Sequence, residues 1–360
     1  MLKIAVTGLR GIPDIQGGVE THCAELFPFI SSDEMEITVF GRRPYSSKPR
    51  KKLWKNVKLI WLPTIPTSKL EAFVHTFLSV ITAKIKGFDI IHIHACGPGL
   101  FVPLAKRLGM KVVFTHHGED YKREKWGGFT KKILKLGEKL AVKNADSVIC
   151  VSPHISDMIM KEYGLRTESI PNGVSIPEIH EETDILRKHG IENSNYILSV
   201  GRIEPGKGFD RLIGAYAKSE MGKEFKLVIA GGAQNTSYYA NELNRLASEK
   251  GVIMTGTVSR TDIMTLLKGA TLFVLASSHE GLPIALLEAM ACGKDVLVND
   301  IPACHLPQLD ESDFFNANEE SSLETALKTK LANRKSRVYD LTDYSWEKAA
   351  RKTLEIYRKL

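Results

Sequence analysis

The stretch Tyr196-Ile-Leu-Ser-Val-Gly-Arg-Ile-Glu-Pro-Gly-Lys-Gly208 decides the fold. Its first five residues read as a buried strand, and the glycines and proline that follow read as a loop opening into a helix at Phe209 or Asp210. The same order of strand, loop and helix recurs on both sides. Upstream, short β-rich runs alternate with longer helical patterns at Lys3 to Thr7, Glu36 to Phe40, Val57 to Trp61, Asp89 to Ile93, Lys111 to Thr115 and Ser147 to Val151. From Tyr196 a second series begins and continues at Phe225 to Ala230, Val252 to Thr255, Thr271 to Ala276 and Asp295 to Asn299. This rhythm is that of parallel sheets with crossover helices. The restart, together with a length of 360 residues, predicts two α/β, doubly wound, Rossmann-like domains. We place them at residues 1–172 and 196–345, with a linker at 173–195 that opens on Pro171-Asn-Gly-Val-Ser-Ile-Pro177.

Two such domains facing one another across a cleft place their ligand loops after the carboxyl ends of the strands. The chemistry does collect there. Arg202 and Lys207 lie in the glycine-rich loop after the Tyr196 strand and supply a bidentate donor and a point charge for phosphate oxygens. The loop is not a Walker motif, because the spacing before Lys207 differs and no Ser or Thr follows it.

In Ser277-Ser-His-Glu-Gly-Leu-Pro-Ile-Ala-Leu-Leu-Glu-Ala-Met-Ala-Cys-Gly293, every residue between Pro283 and Gly293 except Glu288 is apolar or small. Pro283 fits the first helical position and Gly293 the stop, so Glu288 is expected on a helix buried nearly all round. A carboxylate there needs a polar partner. Either a neighbouring Arg or a hydroxyl-rich, phosphate-bearing ligand meets that need.

The first loop, Gly8-Leu-Arg-Gly-Ile-Pro-Asp-Ile-Gln-Gly-Gly-Val-Glu20, lacks the Gly-x-Gly-x-x-Gly fingerprint, and the second strand ends in Gly41-Arg42 without a carboxylate to hold a ribose. Both features disfavour a nicotinamide dehydrogenase. Gly17 and Gly18, just before a helix, present backbone to a sugar or phosphate. His92, His94, His116 and His117 invite a metal reading, which we set aside for want of a converging ligand set. A core or hydrogen-bonding role is assigned to His92, and His117, followed by Gly118, is placed to hydrogen-bond a transferred sugar or help deprotonate an acceptor.

The net charge of +7 is uneven: residues 1–175 hold 26 Lys and Arg against 16 Asp and Glu, and the remainder 23 against 26. The excess sits in Arg42 to Lys58 and at Lys131, Lys132, Lys135, Lys139 and Lys143, which suggests an anionic surface or acceptor. Tyr45, Leu53 and Trp54 among those charges suit a membrane interface better than a nucleic-acid groove, and no nucleic-acid motif is present. No apolar run reaches the roughly 20 residues needed to span a bilayer, and the amino end turns glycine-bearing too soon for a signal peptide. A cytoplasmic protein, peripheral at the inner face of the membrane, is expected. The five cysteines are odd in number and form no Cys-x-x-Cys pair, so neither disulfides nor a thiolate zinc site is expected.

Taken together, Gly17-Gly18, His117-Gly118, Pro171-Asn-Gly173, Gly201-Arg202 with Lys207-Gly208, Glu280-Gly-Leu-Pro with Glu288-Ala, and Tyr344-Ser-Trp346 resemble the retaining glycosyltransferases of family 4, with the GT-B fold. The stretch from Glu119 to Trp126 is further similar to bacterial rhamnosyltransferase-like members that build surface polysaccharide. The resemblance implies that Arg202 and Lys207 bind the donor diphosphate and Glu288 the nucleotide ribose. It places Glu280 at the donor sugar as a catalytic residue, with His279, Gly281 and Leu282 beside the sugar or phosphates. Gly17, Gly18 and catalytic His117 belong to the amino-terminal domain, onto which a helix at 346–360 returns. No metal or other cofactor is implied, the nucleotide diphosphate sugar being a substrate. After Asp300 the sequence departs from the pattern: many relatives have Gly-Gly leading to Glu, where this chain has Ile301-Pro-Ala-Cys-His-Leu-Pro307.

The expected activity is transfer of a hexose-type sugar from a nucleotide diphosphate to a lipid-linked or oligosaccharide acceptor. A nucleotide-sugar epimerase of the same architecture and a non-catalytic nucleotide-sugar or glycan binding module are the rival readings.

Overall fold

The computed structural model describes residues 1–360 except 66, 68, 69, 124, 125, 176–183, 234–237 and 320. The chain divides into two compact units, residues 1–173 with 343–360, and residues 174–342. Of the expected linker, residues 176–183 lie outside the described residues, as do Glu124 and Lys125 of the stretch ending at Trp126.

Unit 1 holds β1 (Leu2–Thr7), β2 (Met35–Arg42), β3 (Leu53–Trp54), β4 (Val57–Leu62), β5 (Ile90–His94), β6 (Lys111–His116), β7 (Ser147–Cys150) and β8 (Glu168–Ser169). They form one sheet in the order β3-β4-β2-β1-β5-β6-β7-β8, parallel except for the β3–β4 pair. Unit 2 holds β9 (Tyr196–Val200), β10 (Lys226–Ala230), β11 (Ile253–Gly256), β12 (Leu272–Leu275), β13 (Asp295–Asn299) and β14 (Phe314–Phe315). Its order is β11-β10-β9-β12-β13-β14, with every pairing parallel. All eleven strands anticipated from composition are present. The three two-residue strands were not anticipated, since so short a run carries no periodicity.

Strands such as Tyr196–Val200 and Leu272–Leu275 are buried along their whole length, as a parallel sheet covered on both faces requires. In unit 2, Ile197, Leu227 and Val274 from the strands pack with Phe209 and Leu212 of the Phe209–Ser219 helix and Leu327 of the Ser322–Ala332 helix. Truncating one such Leu to Ala costs about 2–5 kcal/mol.

The terminal helix Trp346–Lys359 starts at Ser345, whose hydroxyl accepts from the Lys348 amide, and packs on the Gly18–Ile30 helix of unit 1. Trp346 is buried, and a Cβ on Gly173 would stand 2.3 Å from the Trp346 nitrogen, so only glycine fits there. Tyr357 donates its hydroxyl proton to, or accepts one from, His92 Nδ1 at 2.5 Å, which fastens the helix to β5.

Candidate functional site

In each sheet the first strand has neighbours that run off in opposite directions. β9 lies between β10 and β12, and β1 between β2 and β5. At such a switch point the loops leaving adjacent strands diverge and open a crevice at the carboxyl edge.

In unit 2 the loop after β9 is sewn down on both sides. Gly201 N donates to Ala230 O at 3.0 Å and Ile203 N to Gly232 O at 3.1 Å, while Ser278 N donates back to Gly206 O at 3.0 Å. Gly208 has a φ of 65°, and a Cβ there would fall 2.3 Å from the Ala276 carbonyl oxygen. The glycine is therefore demanded twice, by the left-handed backbone and by the close approach of the strand β12 exit. Asn299 holds the other flank, donating to Ser277 O at 3.0 Å and accepting from Ala317 N at 3.0 Å.

This stitching brings Lys207 and Glu280 together, 73 residues apart in sequence, with Nζ and Oε1 2.6 Å apart. Arg202 lies 3.1 Å from Glu204 in the same loop. His279, Gly281 and Leu282 flank Glu280 in the loop that ends at Pro283, with His279 Nδ1 3.1 Å from the Ser278 hydroxyl. Cys304, fully buried, lies beside this pair: burial and then the Glu280 charge push its thiol up.

Glu288 is buried on the Ile284–Ala291 helix amid Leu286, Leu287, Ala289 and Met290, as its flanking residues imply. Pro283 occupies the N-cap, one residue before the first helical position, and Gly293 takes a φ of 67° just past the end. The polar partner of Glu288 within the unit is Arg260, whose Nη1 lies 2.5 Å from Oε1. Arg260 begins the Arg260–Gly269 helix behind a Ser259–Asp262 capping box, and its side chain is 30 % exposed. Of the two partners open to Glu288, the neighbouring arginine is thus present, and it is half-buried. Arg260 carries no motif and was not singled out.

In unit 1, Gly17 precedes the Gly18–Ile30 helix, and a Cβ on it would strike the Glu20 carboxylate at 2.0 Å; a Cβ on Gly18 would meet open space. His117, half-buried after β6, shares a 2.9 Å hydrogen bond between its Nε2 and His94 Nδ1. Its ring packs edge-on to His22 with centroids 4.8 Å apart. His22 in turn bonds Asn172 Oδ1 at 2.9 Å, which makes its Nδ1 the donor. Burial, reinforced by the neighbouring histidines, holds His117 and His94 well below the usual imidazole range, so both are neutral. His92 is buried and hydrogen-bonded, with Nε2 2.6 Å from Thr115 Oγ1. The pairing of His22 with Asn172, a residue of the Pro171-Asn-Gly173 motif, was not legible in sequence because the two lie 150 residues apart.

Two groups among the described residues have metal-ligating chemistry: His22, His94 and His117, and Cys96, His116 and Glu138. The second group is closed on itself. His116 Nδ1 accepts from Gly118 N, which turns its Nε2–H toward Glu138 at 2.8 Å. Burial would raise the Glu138 carboxyl, but hydrogen bonds from His116, Lys135 and Tyr163 bring it down to about 2. In the first group the ligand atoms all lie within 4.8 Å of one another, and His94 Nδ1 and His117 Nε2 share the 2.9 Å hydrogen bond.

The basic segments of unit 1 divide in a way that sequence did not show. Arg42 is buried against Glu71, and Trp54 donates its indole N–H to Ala24 O at 3.2 Å, so the polar edge of its ring is committed to the fold rather than to an interface. Lys135 is engaged by Glu138 and Glu162, whereas Lys132, Lys139 and Lys143 are exposed along the Gly128–Asn144 helix. The cysteines are all free, four of them buried. No helix of the described residues is long and apolar enough to cross a membrane.

The two sheets, with their switch points and the loops gathered there, are the two Rossmann-like α/β units of a GT-B fold. The family model "Glycosyltransferase Family 4" matches residues 16–177, and "Glycosyl transferases group 1" matches residues 181–337. The chain belongs to the family 4 glycosyltransferases. It is 28 % identical to an alpha-maltose-1-phosphate synthase of Mycolicibacterium smegmatis over 310 residues, covering 75 % of this chain and 79 % of that protein. It is 25 % identical over 334 residues to a UDP-Gal:alpha-D-GlcNAc-diphosphoundecaprenol alpha-1,3-galactosyltransferase of Escherichia coli, covering 87 % and 84 %. The structure of a sucrose-phosphate synthase from Thermosynechococcus elongatus aligns with a TM-score of 0.83 at 20 % identity, covering 100 % of this chain and 99 % of that one.

Proposed function

We propose that the chain is a retaining hexosyltransferase that moves a sugar from a nucleotide diphosphate to a lipid-linked or growing glycan acceptor in cell-surface polysaccharide synthesis. The observation that carries this reading is the Lys207–Glu280 contact at the β9/β12 switch point, one helical segment away from buried Glu288. A donor set there by Glu288 at its ribose brings its diphosphate against Lys207 and Arg202. Each cation then exchanges part of its carboxylate contact for phosphate oxygens, whose charge grows as the bond to the sugar breaks.

Glu280, relieved of part of its lysine, accepts hydrogen bonds from the sugar hydroxyls, with His279 and the Gly281 and Leu282 backbone beside it. A phosphate oxygen takes the acceptor proton on the same face, so neither a protein nucleophile nor a metal ion enters the step. His117, as a neutral imidazole, is suited to hydrogen-bond a sugar hydroxyl, and Gly17 and Gly18 retain the backbone role that the resemblance gives them.

A diphosphoundecaprenol-linked acceptor in the name of the Escherichia coli relative supports a lipid-linked acceptor here. Peripheral binding at the inner membrane face is supported by exposed Lys132, Lys139 and Lys143, with Phe129 and Leu136 exposed on the same helix. A hollow of about 350 Å³ lined by Lys135, Leu136, Lys139, Lys143, Glu162 and Tyr163 adjoins them.

The test is a thermal-shift screen against nucleoside diphosphates and their sugars, followed by product analysis with and without acceptor in the presence of a chelator. Binding of one nucleotide class, metal-independent transfer and retained anomeric configuration are expected. Epimerised donor without acceptor, binding without turnover across an acceptor panel, or activity restored only by a divalent ion would overturn the reading.

A further inference from the structure

Three imidazoles of unit 1 converge from three separate elements: His22 from the Gly18–Ile30 helix, His94 from the end of β5 and His117 from the loop after β6. One ring nitrogen of each lies within 4.8 Å of the others, the convergence that sequence could not supply. His92 stays outside the group. It stacks on His94 with centroids 4.2 Å apart, but both of its nitrogens are taken, by Tyr357 and by Thr115.

The protons and lone pairs of this group do not balance. His22 Nδ1 donates to Asn172 Oδ1, which leaves Nε2 a bare lone pair, buried and without a partner among the described residues. His94 Nδ1 and His117 Nε2 share one proton, and His94 Nε2 is likewise unmet. If His94 gives that proton, its Nε2 is a second bare lone pair; if it accepts, its Nε2–H is an orphaned donor. Neither arrangement satisfies the group. A ring fixed through one nitrogen by a carbonyl oxygen, with the other left bare, is the outer-shell arrangement of a metal-binding histidine.

Imidazoles without a carboxylate select zinc over magnesium or calcium. Zinc–nitrogen bonds of about 2.0 Å at a tetrahedral centre set ligand atoms about 3.3 Å apart. His94 Nδ1 and His117 Nε2, at 2.9 Å, need part by only a few tenths of an ångström once the metal replaces their shared proton. The widest pair closes by roughly 1.5 Å, which the broad χ2 torsion of histidine accommodates. Burial keeps the three rings neutral, the form that ligates, and the group meets solvent at half-buried His117, where an ion enters. We propose that His22, His94 and His117 form a zinc site that switches the chain off, the ion turning His117 inward, away from the sugar hydroxyl it would otherwise meet. The switch, though not the site, rests on the reading of the chain as a sugar transferase whose own chemistry is metal-free.

The test uses the full chain, stripped with a chelator and titrated with Zn2+ in a calorimeter and with Co2+ in a spectrophotometer. One equivalent should bind, and Co2+ should give the visible bands of a four-coordinate nitrogen site. In long-range 15N–1H spectra of the wild type, one equivalent of Zn2+ should shift the ring nitrogens of His22, His94 and His117 among the eleven histidines. His22→Asn, which keeps a nitrogen facing Asn172 but deletes the ligand, and Asn172→Ala, which frees the His22 ring, should each weaken binding by about 10–100-fold. Sugar transfer should fall at least tenfold on saturation with Zn2+ and return with chelator. Wild-type affinity in His22→Asn, shifts confined to other histidines, or a cobalt–thiolate absorption that assigns the ion to Cys96 overturns the site. Undiminished transfer with the site filled overturns the switch. A chain that binds one zinc at these histidines but transfers no sugar in its metal-free form would instead count against the transferase reading alone.

Discussion

Lys207 Nζ lies 2.6 Å from Glu280 Oε1, which places the cation proposed for the donor phosphates on the acid proposed for the donor sugar. The pair is a resting arrangement in which each partner holds the other near its working position. Lys207→Ala should lower kcat/KM for the donor by about 10²–10³-fold, the range expected when one preorganised charge is removed from a developing anion. The urea midpoint should fall as well, because side chains exposed at only 19 and 13 % are mostly buried and the substitution takes from Glu280 the cation it faces. Steady-state kinetics together with urea unfolding checks both halves; kinetics like the wild type would remove Lys207 from the mechanism.

Glu288 is held by Arg260 at 2.5 Å, and a ribose hydroxyl must share that carboxylate. Glu288→Gln keeps the shape but removes the charge. Nucleotide affinity should fall by about 10–100-fold, the worth of a charge-assisted hydrogen bond, with circular dichroism unchanged. Arg260→Ala provides the contrast: if the pair is purely structural, both substitutions will lower stability and neither will alter the Kd measured by calorimetry.

Gly208 offers a test of how the phosphate loop is shaped. Gly208→Ala forces a Cβ into a φ of 65° and to within 2.3 Å of the Ala276 carbonyl oxygen. A loss of about 1–3 kcal/mol or more is expected in chemical denaturation. Gly18→Ala, whose Cβ meets nothing within 4 Å, should leave stability nearly unchanged. Comparable losses in the two variants would contradict the close approach.

Acid should weaken unit 1. Burial lowers His22 to about 4 and His75 to about 3, and it also lowers His92, His94 and His117. As pH falls from about 6.5 toward 4, the unfolded chain takes up protons that these folded imidazoles refuse, so stability is present above that window and is lost through it. For His22 alone the shift amounts to on the order of 3 kcal/mol by pH 4. All four tryptophans, Trp54, Trp61, Trp126 and Trp346, belong to unit 1, so their fluorescence reports this unit selectively. Urea midpoints followed in this way should decline between pH 7 and pH 5, and a flat profile would contradict the neutral histidine cluster.

Much of the architecture was open to direct reading because a fully buried parallel strand writes its own signature. Tyr196–Val200 and Asp295–Asn299 begin and end where their composition places them. Glu288 stood out for the same reason, as a lone charge in an apolar helix. Side-chain pairing was not legible in the same way. The candidates for an interfacial patch included Arg42, Tyr45 and Trp54, yet the fold turns Arg42 and Tyr45 onto Glu71 and Trp54 onto Ala24 O.

Sequence alone determined which segments become strands and which loops carry glycine, cation and carboxylate, since local periodicity and backbone freedom are properties of neighbouring residues. Only the tertiary structure decided that Lys207 meets Glu280, that Arg260 meets Glu288 and that His22 stands behind His117. Those contacts depend on strand order in the sheets, which brings β12 beside β9 and β5 beside β1. Strand order is set by burying the whole apolar surface at once, and no local stretch of the chain contains that information.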